Sequence, residues 1–521
     1  MNYFIGRGID NLLTGIEQAQ INRLKLFKKN QIPAQIISFN YSRDTHKKAA
    51  VYGLDKQDLC NMFDYYQQSR LVNVHALTVA SVRPKGTESE LVGFEQDLAA
   101  VNCVKNRHVV CQIRYIQLTG QVQQVLWTNQ SGKIDHTDSY DERGFFARRS
   151  WLDLVGNIKL ETYYTPAGKE AITIKYRNYE KLDTEKIKLA SGETFDSFND
   201  LKNDFLQKLD AEEISTFFLD REFDPVTFRD MNLAGKRISV IHNAHVGYEE
   251  TMATEVNKIA EQAGKKERFK PALAYYDRLL QHPGNIDAFL VSTEAQKKDI
   301  QKSYPDTKPV FVVPVGFNLN LPSPIELQRR DLYQVIIVSR ISPEKGISDA
   351  IAAFISVWKQ VPQARLVIYG GANGEVSRDY LKQMNEQIIA AGAQNAIRFA
   401  GFRHNLKKMY DRSGLFVMTS HSESFNLSMQ EALSHGVPVL AYDIKYGPSD
   451  MISNGSNGVL VKPNDVNELT VQMKRLLSQP QLLGHMSDGA YRLRKKYSGE
   501  IVWRDYQQVI AFLDNQDTVI D

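Results

Sequence analysis

The spacing of apolar residues changes twice along this chain of 521 residues and divides it into three regions. In the first region, an apolar run at Met1–Ile5 precedes a stretch with helical spacing from about Gly15 to Lys28. A second apolar run, Ala34–Phe39, follows that stretch. Strands rich in β-branched and aromatic residues around a helix predict a β-α-β unit of a parallel sheet. This opening unit is expected to end near Arg43.

The second region spans roughly residues 70–190, where apolar and polar residues alternate, as in Val109–Ile116 and Ala171–Tyr176. Turn segments that end in glycine, such as Asn129–Gly132, separate these runs. Short alternating strands joined by glycine turns predict an antiparallel meander. A parallel domain would not contain such a run, so we interpret residues 70–190 as an insertion. A helix from Lys188 to Leu209 is expected to follow it.

In the third region the spacing of apolar residues is again typical of a parallel α/β domain. This spacing predicts that residues 1–45 and 205–325 form one parallel α/β domain and that residues 330–500 form a second. Helices are expected between the strands of the second domain, which predicts a parallel sheet. Its candidate strands are Val335–Ser339, Leu366–Gly370, Ile397–Gly401, Leu415–Thr419, Val437–Tyr442 and Gly458–Val461.

Composition excludes several classes of function. The net charge of +3 is small and gives no support for nucleic-acid binding, and a hydrophobic content of 42% is that of an ordinary globular protein. There is no run of eighteen apolar residues and no signal-peptide pattern, so we expect a cytoplasmic protein. The segment Gly6–Asn11 lacks the third glycine of a nicotinamide-binding loop. The cysteines Cys60, Cys103 and Cys111 have no metal-like spacing and are expected to be reduced.

The chemistry is concentrated in two segments of the second domain. Glu423 and Glu431 stand eight positions apart around a polar turn that enters a helix, after the apolar run Gly414–Thr419. Unpaired N–H groups at such a helix start attract anions, and the two carboxylates could bind different hydroxyls of a sugar nucleotide. Arg340 and Lys345 lie about a turn apart after an earlier strand. Together these residues predict a site for a nucleoside-diphosphate sugar.

No Asp-x-Asp triplet occurs in the chain. Such a pair would hold a metal ion against the diphosphate, whereas here Arg340 and Lys345 are the natural partners for its charge. We therefore expect no metal ion and no cofactor, since the nucleoside-diphosphate sugar would be a substrate.

These segments resemble the retaining glycosyltransferases of family 4, which have the GT-B fold of two facing Rossmann-like domains. The segments Ala441–Asp450 and Thr14–Gln20 narrow the likeness to two bacterial groups. One group O-glycosylates serine-rich-repeat adhesins, and the other comprises the α-N-acetylglucosaminyltransferases of wall teichoic acid. The likeness covers roughly residues 1–45 and 205–515, and it implies that the final helix, 500–515, packs back on the first domain.

The resemblance also implies roles for individual residues. Glu431 would bind the ribose hydroxyls, Glu423 would contact the transferred sugar, and His245 would face the sugar or the acceptor, with His242 as structural support. Donor binding would further involve Gly15, Phe402, Arg403, Phe425, Asn426, Leu427 and Ser428, together with the loop at Tyr369–Gly371 for the base. The family often has Gly-x-Gly after the first glutamate, whereas this chain has Ser424-Phe-Asn426.

The expected activity is transfer of GlcNAc or glucose from its UDP donor to serine or threonine of a secreted adhesin. Two alternatives stay open, namely transfer to a polyol-phosphate wall polymer and a non-catalytic, adhesin-binding relative. The resemblance implies homo-oligomers through the insertion, or assembly with a related subunit. A peripheral position at the inner face of the membrane is a further option.

Overall fold

The computed structural model describes residues 1–10, 13–75, 77–95, 97–220, 225–245 and 273–517. The chain divides into two compact units, Met1–Lys236 and Arg237–Asp521. Among the residues described, no helix combines the length and apolar content needed to cross a bilayer.

The first unit contains a parallel sheet and an antiparallel sheet. Its strands are β1 (Asn2–Ile5), β2 (Ala34–Ser38), β3 (Leu59–Asn61), β4 (Glu88–Glu95), β5 (Leu98–Lys105), β6 (His108–Ile116), β7 (Val122–Thr128), β8 (Ile134–Tyr140), β9 (Phe146–Leu152), β10 (Ile158–Tyr164), β11 (Glu170–Asn178), β12 (Asp183–Leu189), β13 (Thr194–Phe195) and β14 (Thr216–Leu219). Its described helices are α1 (Gly15–Lys29), α2 (Thr45–Val51), α3 (Met62–Tyr66), α4 (Val79–Val82), α5 (Phe198–Glu212) and α6 (Pro225–Asp230).

The parallel part of this unit has the strand order β3-β2-β1-β14. The predicted strand–helix–strand opening is confirmed, because β1, α1 and β2 occupy the expected segments. The expectation that the opening ends near Arg43 is wrong, since β3 pairs with β2 through Ile36 and Leu59 and extends the sheet. β1 is central, and its Phe4 packs edge-on against Phe27 and Phe218, with ring centroids 5.2 Å apart in both pairs.

The antiparallel sheet runs from β4 to β13 in chain order, so each strand pairs with the next one. The meander is confirmed, but its strands begin at Glu88 rather than near residue 70. The helix expected at Lys188–Leu209 begins only at Phe198. Lys188 instead belongs to β12, where Ile187 and Leu189 are both buried with the two-residue period of a strand.

All three cysteines of the chain are buried free thiols. Cys103 and Cys111 lie directly opposite each other on β5 and β6, in a core that also contains Ile113 and Val125. Burial raises the pKa of Cys60 to about 12 and that of Cys111 to about 12. The three thiols therefore pack as small apolar groups, and those of Cys60 and Cys111 stay protonated.

The second unit contains two parallel sheets. Its strands are β15 (Lys236–Val240), β16 (Ala288–Val291), β17 (Val310–Val312), β18 (Asp331–Val338), β19 (Arg365–Tyr369), β20 (Ile397–Gly401), β21 (Ser413–Met418), β22 (Val439–Tyr442) and β23 (Gly458–Val461). Its described helices are α7 (Leu273–Gln281), α8 (Glu294–Ser303), α9 (Ile347–Trp358), α10 (Glu375–Ala390), α11 (Lys407–Arg412), α12 (Leu427–Ser434), α13 (Pro448–Met451), α14 (Val466–Ser478), α15 (Pro480–Leu493) and α16 (Gly499–Asp517).

The larger sheet of this unit has the order β20-β19-β18-β21-β22-β23. All six strands expected in the second domain are present, and their pairing is parallel as predicted. After β18 the chain builds outward on one side through β19 and β20, and it then returns to build β21 on the other side. In open parallel sheets, ligands bind beyond the carboxyl ends of the strands where the order reverses. That point lies between β18 and β21.

The last helix, α16, packs against the smaller sheet. Its Phe512 contacts Phe311 of β17, with ring centroids 5.2 Å apart.

Candidate functional site

The two charged segments singled out in the sequence meet where the strand order reverses. Lys345 follows β18 and Glu423 follows β21, and these strands are neighbours. The Lys345 Nζ lies 2.7 Å from Glu423 Oε1, and the two side chains are 14% and 13% exposed. A cation and a carboxylate from segments far apart in sequence are therefore held together at the carboxyl edge of the sheet.

A glycine makes the turn after Lys345 possible. Gly346 has a φ of +56°, and a Cβ at this position would overlap the carbonyl oxygen of Thr419. Glycine alone combines this left-handed conformation with so close an approach of two backbones. Gly346 thereby lets the start of α9 pack directly on the chain that leads to Glu423.

Arg340 occupies a different position from Lys345. Its side chain is 61% exposed, and its guanidinium lies 3.0 Å from Glu344 Oε1. Of the two cations expected at the diphosphate, only Lys345 pairs with Glu423 in this structure. A role for Arg340 at the diphosphate stays a prediction.

Asn426 connects Glu423 to the helix that follows it. Asn426 has a φ of +77° and caps α12, where its Oδ1 accepts a hydrogen bond from the Met429 N–H at 2.9 Å. Its Nδ2 donates to Glu423 Oε1 at 3.0 Å. Asparagine tolerates the left-handed conformation better than most residues. It therefore takes the place of a loop glycine and adds a hydrogen bond that orients Glu423.

The remaining residues of this loop have unequal exposure. Phe425 is 1% exposed, and its ring meets Tyr497 edge-on at 5.5 Å. The Ser424 hydroxyl donates to the carbonyl oxygen of His242. Leu427 and Ser428, the first residues of α12, are partly exposed. The Phe425 side chain is thus a packing group, and backbone N–H groups are what this part of the loop can offer a ligand.

Glu431 lies on α12, and the Tyr410 hydroxyl donates to its Oε2 at 2.9 Å. Burial raises the pKa of Glu431 and outweighs the opposing effect of this hydrogen bond. The Tyr410 ring stacks on His435 at 5.5 Å, and His435 Nδ1 lies 2.7 Å from Asp411 Oδ1. Tyr410 therefore holds the carboxylate in place. Sequence reasoning missed it, because α11 carries no motif that points to Glu431.

His245 is 1% exposed and stacks in parallel on Tyr446, with ring centroids 5.7 Å apart and an angle of 7° between the rings. Within the described part of the chain, neither ring nitrogen of His245 has a hydrogen-bond partner. Burial is the main reason that the pKa of His245 is lowered, which favours the neutral imidazole.

The other predicted residues lie at element ends. Gly15 is the exposed first residue of α1 in the first unit, and Thr14 and Glu17 form a capping box there. Phe402 and Arg403 follow β20 at the carboxyl edge of the larger sheet, and Arg403 is exposed. Contact of these residues with a sugar nucleotide stays a prediction. The described residues include no cluster of three His, Cys, Asp or Glu side chains placed to hold a metal ion.

Two family models match the chain. Residues 324–493 match the model described as glycosyl transferases group 1, which covers the sheet that carries Lys345 and Glu423. Residues 96–192 match the model described as the GtfB middle domain. The chain has the GT-B fold, and its residues 324–493 are similar to the group 1 glycosyl transferases.

Three curated relatives are similar to almost the whole chain. The GtfA subunit of a UDP-N-acetylglucosamine–peptide N-acetylglucosaminyltransferase from Streptococcus gordonii is 25% identical, over 95% of each chain. The poly(glycerol-phosphate) alpha-glucosyltransferase of Bacillus subtilis is 23% identical, over 95% of this chain and 72% of that protein. The poly(ribitol-phosphate) alpha-N-acetylglucosaminyltransferase of Staphylococcus aureus is 23% identical, over 94% of this chain and 95% of that protein. The resemblance inferred from the sequence is confirmed.

Solved structures agree on the fold. The pneumococcal O-GlcNAc transferase GtfA in complex with UDP and GlcNAc has a TM-score of 0.81 at 19% identity, over 98% of both chains. A chain of the GtfA/B complex has a TM-score of 0.78 at 21% identity, over 99% of this chain and 100% of that chain. The predicted fold class, two Rossmann-like domains with an antiparallel insertion, is confirmed.

Proposed function

We propose that this protein is a retaining, metal-independent glycosyltransferase that moves GlcNAc, or glucose, from a UDP-sugar to serine or threonine of a secreted serine-rich-repeat adhesin. The observation that carries the proposal is the Lys345–Glu423 pair at the reversal of strand order, with Glu431 two turns along the same segment. Similarity to the GtfA subunit of Streptococcus gordonii over 95% of each chain supports the peptide acceptor.

The chemistry assigned to each residue follows from its charge and position. A departing UDP develops negative charge on its diphosphate, and a preorganised cation such as Lys345 stabilises that charge. In our proposal Glu423 accepts hydrogen bonds from the hydroxyls of the transferred sugar, and Glu431 accepts them from those of the ribose. In our proposal the leaving diphosphate takes the proton of the acceptor hydroxyl on the same face of the sugar. The protein then contributes orientation and charge stabilisation, and Glu423 forms no covalent bond.

A wall polymer is the second candidate acceptor. Similarity to the Bacillus subtilis and Staphylococcus aureus transferases, whose names specify poly(glycerol-phosphate) and poly(ribitol-phosphate), favours it. A non-catalytic relative would have no reason to keep Lys345, Glu423 and Glu431 together. All three are present, and this supports an active enzyme.

Turnover assays separate these functions. The purified protein would be incubated with UDP-GlcNAc or UDP-glucose and one of three acceptors: a serine-rich peptide, the same peptide with alanine at each serine and threonine, or a polyol-phosphate polymer. We expect sugar transfer to the serine-rich peptide alone and an α-linkage, read from the anomeric proton signal. Transfer only to the polymer would establish the second candidate. Tight UDP binding with neither hydrolysis nor transfer would establish the non-catalytic reading.

Assembly through the antiparallel sheet is part of the proposal. The edge strand β4 exposes Leu91 and Val92, which are 62% and 51% exposed, and an exposed apolar edge is a surface for strand pairing. We expect homo-oligomers, with a related subunit as the alternative partner. Light scattering of the unmodified protein and of Val92→Lys tests this, with the substitution Leu154→Lys in an exposed turn as the control. A monomeric unmodified protein would leave the related subunit as the partner to test.

The predicted location, cytoplasmic with a peripheral position at the inner membrane face as an option, also remains a proposal. Fractionation of cells that produce the protein tests it.

A further inference from the structure

The segment Asp443–Ser449, which follows β22, carries part of the family likeness, and its Tyr446 packs on His245. Its Tyr446 is 1% exposed, and the Tyr446 N–H donates to the carbonyl oxygen of Glu423 at 2.7 Å. A Cβ on the next residue, Gly447, would overlap the carbonyl oxygen of Phe425. This segment and the loop that presents Glu423 therefore pack backbone against backbone.

The ring of Tyr446 fixes a second site residue. It lies parallel to the His245 ring at 5.7 Å. Since neither nitrogen of His245 is bonded within the described residues, ring packing sets the plane of this imidazole: Tyr446 stacks on its face, and Tyr304 meets it edge-on at 6.3 Å. Tyr446 thus contacts the loop that presents Glu423 through its backbone, and it contacts His245 through its ring.

Asp299 on α8 holds Tyr446 and the residue before it. One of its oxygens, Oδ2, accepts from the Tyr446 hydroxyl at 2.9 Å and from Lys445 Nζ at 2.7 Å. Burial opposes the charge of Asp299, yet the hydrogen bonds from Lys445 and Tyr446 lower its pKa below the usual value. The carboxylate is therefore ionised at neutral pH and ties α8, beside the smaller sheet, to the segment after β22.

We propose that Tyr446 is a positioning residue that sets His245 relative to Glu423, with Asp299 as its anchor. This inference rests on the proposed transferase function, in which His245 faces the sugar or the acceptor and Glu423 binds the sugar. A misplacement of about 1 Å between groups that orient a substrate can cost on the order of 10²-fold in rate. The Tyr446 side chain is 1% exposed and its hydroxyl is bonded to Asp299, so its loss should affect turnover more than nucleotide binding.

Three variants isolate the contacts of Tyr446. Tyr446→Leu removes the ring and the hydroxyl, Tyr446→Phe keeps the ring, and Asp299→Ala removes the anchor from a partly exposed position. Tyr304→Phe is the matched control, because it deletes a hydroxyl bonded to Asp277 at 2.8 Å but keeps both the Tyr304 ring that meets His245 edge-on and the hydroxyl of Tyr446.

We expect kcat for UDP-GlcNAc turnover to fall by about 10²-fold in Tyr446→Leu and severalfold in Asp299→Ala. Tyr446→Phe should keep most of the activity, and the control should keep all of it. The Kd for UDP, measured by calorimetry, should stay within about threefold in every variant. An unchanged kcat in folded Tyr446→Leu and Asp299→Ala, or a loss of UDP affinity as large as the loss of kcat, overturns the proposal.

A spectroscopic readout keeps this test separate from that of the transferase function. A ring stacked on His245 shifts the Hε1 proton signal of this histidine, which ¹³C-histidine labelling and a His245→Gln variant would assign. The signal should move in Tyr446→Leu and stay nearly in place in Tyr446→Phe. Absence of turnover in the unmodified protein rejects the proposed function, whereas an unmoved signal in Tyr446→Leu rejects the positioning role.

Discussion

The ammonium group of Lys345 and the carboxylate of Glu423 form a 2.7 Å ion pair although 77 residues separate them in sequence. Each group is also a predicted ligand for a different part of the same substrate. The pair therefore holds each charge in a defined position. A diphosphate that enters the site would share Lys345 with Glu423 and would meet a cation that is already oriented.

The first prediction concerns this cation. Lys345→Ala should lower kcat/KM for UDP-sugar turnover by about 10²- to 10³-fold, which is the usual effect of losing one preorganised charge contact. Steady-state kinetics with UDP-GlcNAc measures the effect, and the exposed Lys359 at the end of α9 provides the control, Lys359→Ala. Near-normal turnover in a folded Lys345→Ala protein would remove this residue from the site.

The second prediction concerns the pH dependence of donor binding. Burial raises the pKa of Glu431, so this carboxyl takes up its proton at a higher pH than an ordinary glutamate. A protonated carboxyl offers fewer acceptor sites to the ribose. The KM for UDP-GlcNAc should therefore rise as the pH falls through this raised pKa, before ordinary glutamates titrate near pH ~4.3.

Variants of this pair of residues test the assignment. Tyr410→Phe removes the hydrogen bond that favours the charged carboxylate, so the rise in KM should begin at a still higher pH. Glu431→Gln should abolish the pH dependence and weaken donor binding. The folded state binds this proton more tightly than the unfolded state, so the free energy of unfolding should fall as the pH rises through the same window. Unchanged KM profiles in Tyr410→Phe would contradict the role of Tyr410.

The third prediction is that turnover needs no divalent cation, because Lys345 and Arg340 are expected to neutralise the diphosphate. Rates measured in excess EDTA and after addition of Mg²⁺ or Mn²⁺ should agree. A loss of activity in EDTA that either metal restores would show that a metal ion takes part in the reaction.

The fourth prediction separates two roles of Asn426. Both variants lose the side-chain cap of α12, but Asn426→Gly keeps the left-handed conformation without strain and should cost only a few tenths of a kcal/mol, whereas Asn426→Ala also strains the backbone and should cost about 1 kcal/mol or more. Both variants lose the hydrogen bond to Glu423, so both should turn over more slowly. Thermal unfolding and kinetics measured side by side distinguish the two effects. Equal stability of the two variants would show that the backbone conformation of Asn426 does not matter.

Features set by residues close together in sequence could be predicted, whereas contacts between segments far apart in sequence could not. The strands of the larger sheet are local apolar runs, and all six were predicted. Lys345 and Glu423 were found because both stand directly after such strands. Tyr410 and Tyr446 were missed as site residues, since their contacts arise only when separate segments pack together. The helix start was misplaced at Lys188, where charged residues conceal the alternation of Ile187 and Leu189.

The burial of all three native thiols has a practical consequence. Cys60, Cys103 and Cys111 are inaccessible to solvent-borne maleimide or nitroxide reagents while the protein is folded. A cysteine introduced in an exposed hairpin turn, such as Ser131→Cys, would therefore be labelled selectively without removal of the native ones. The natural chain is thus a ready background for spectroscopic distance measurements between subunits, and these could detect assembly in solution at the concentrations used for activity assays.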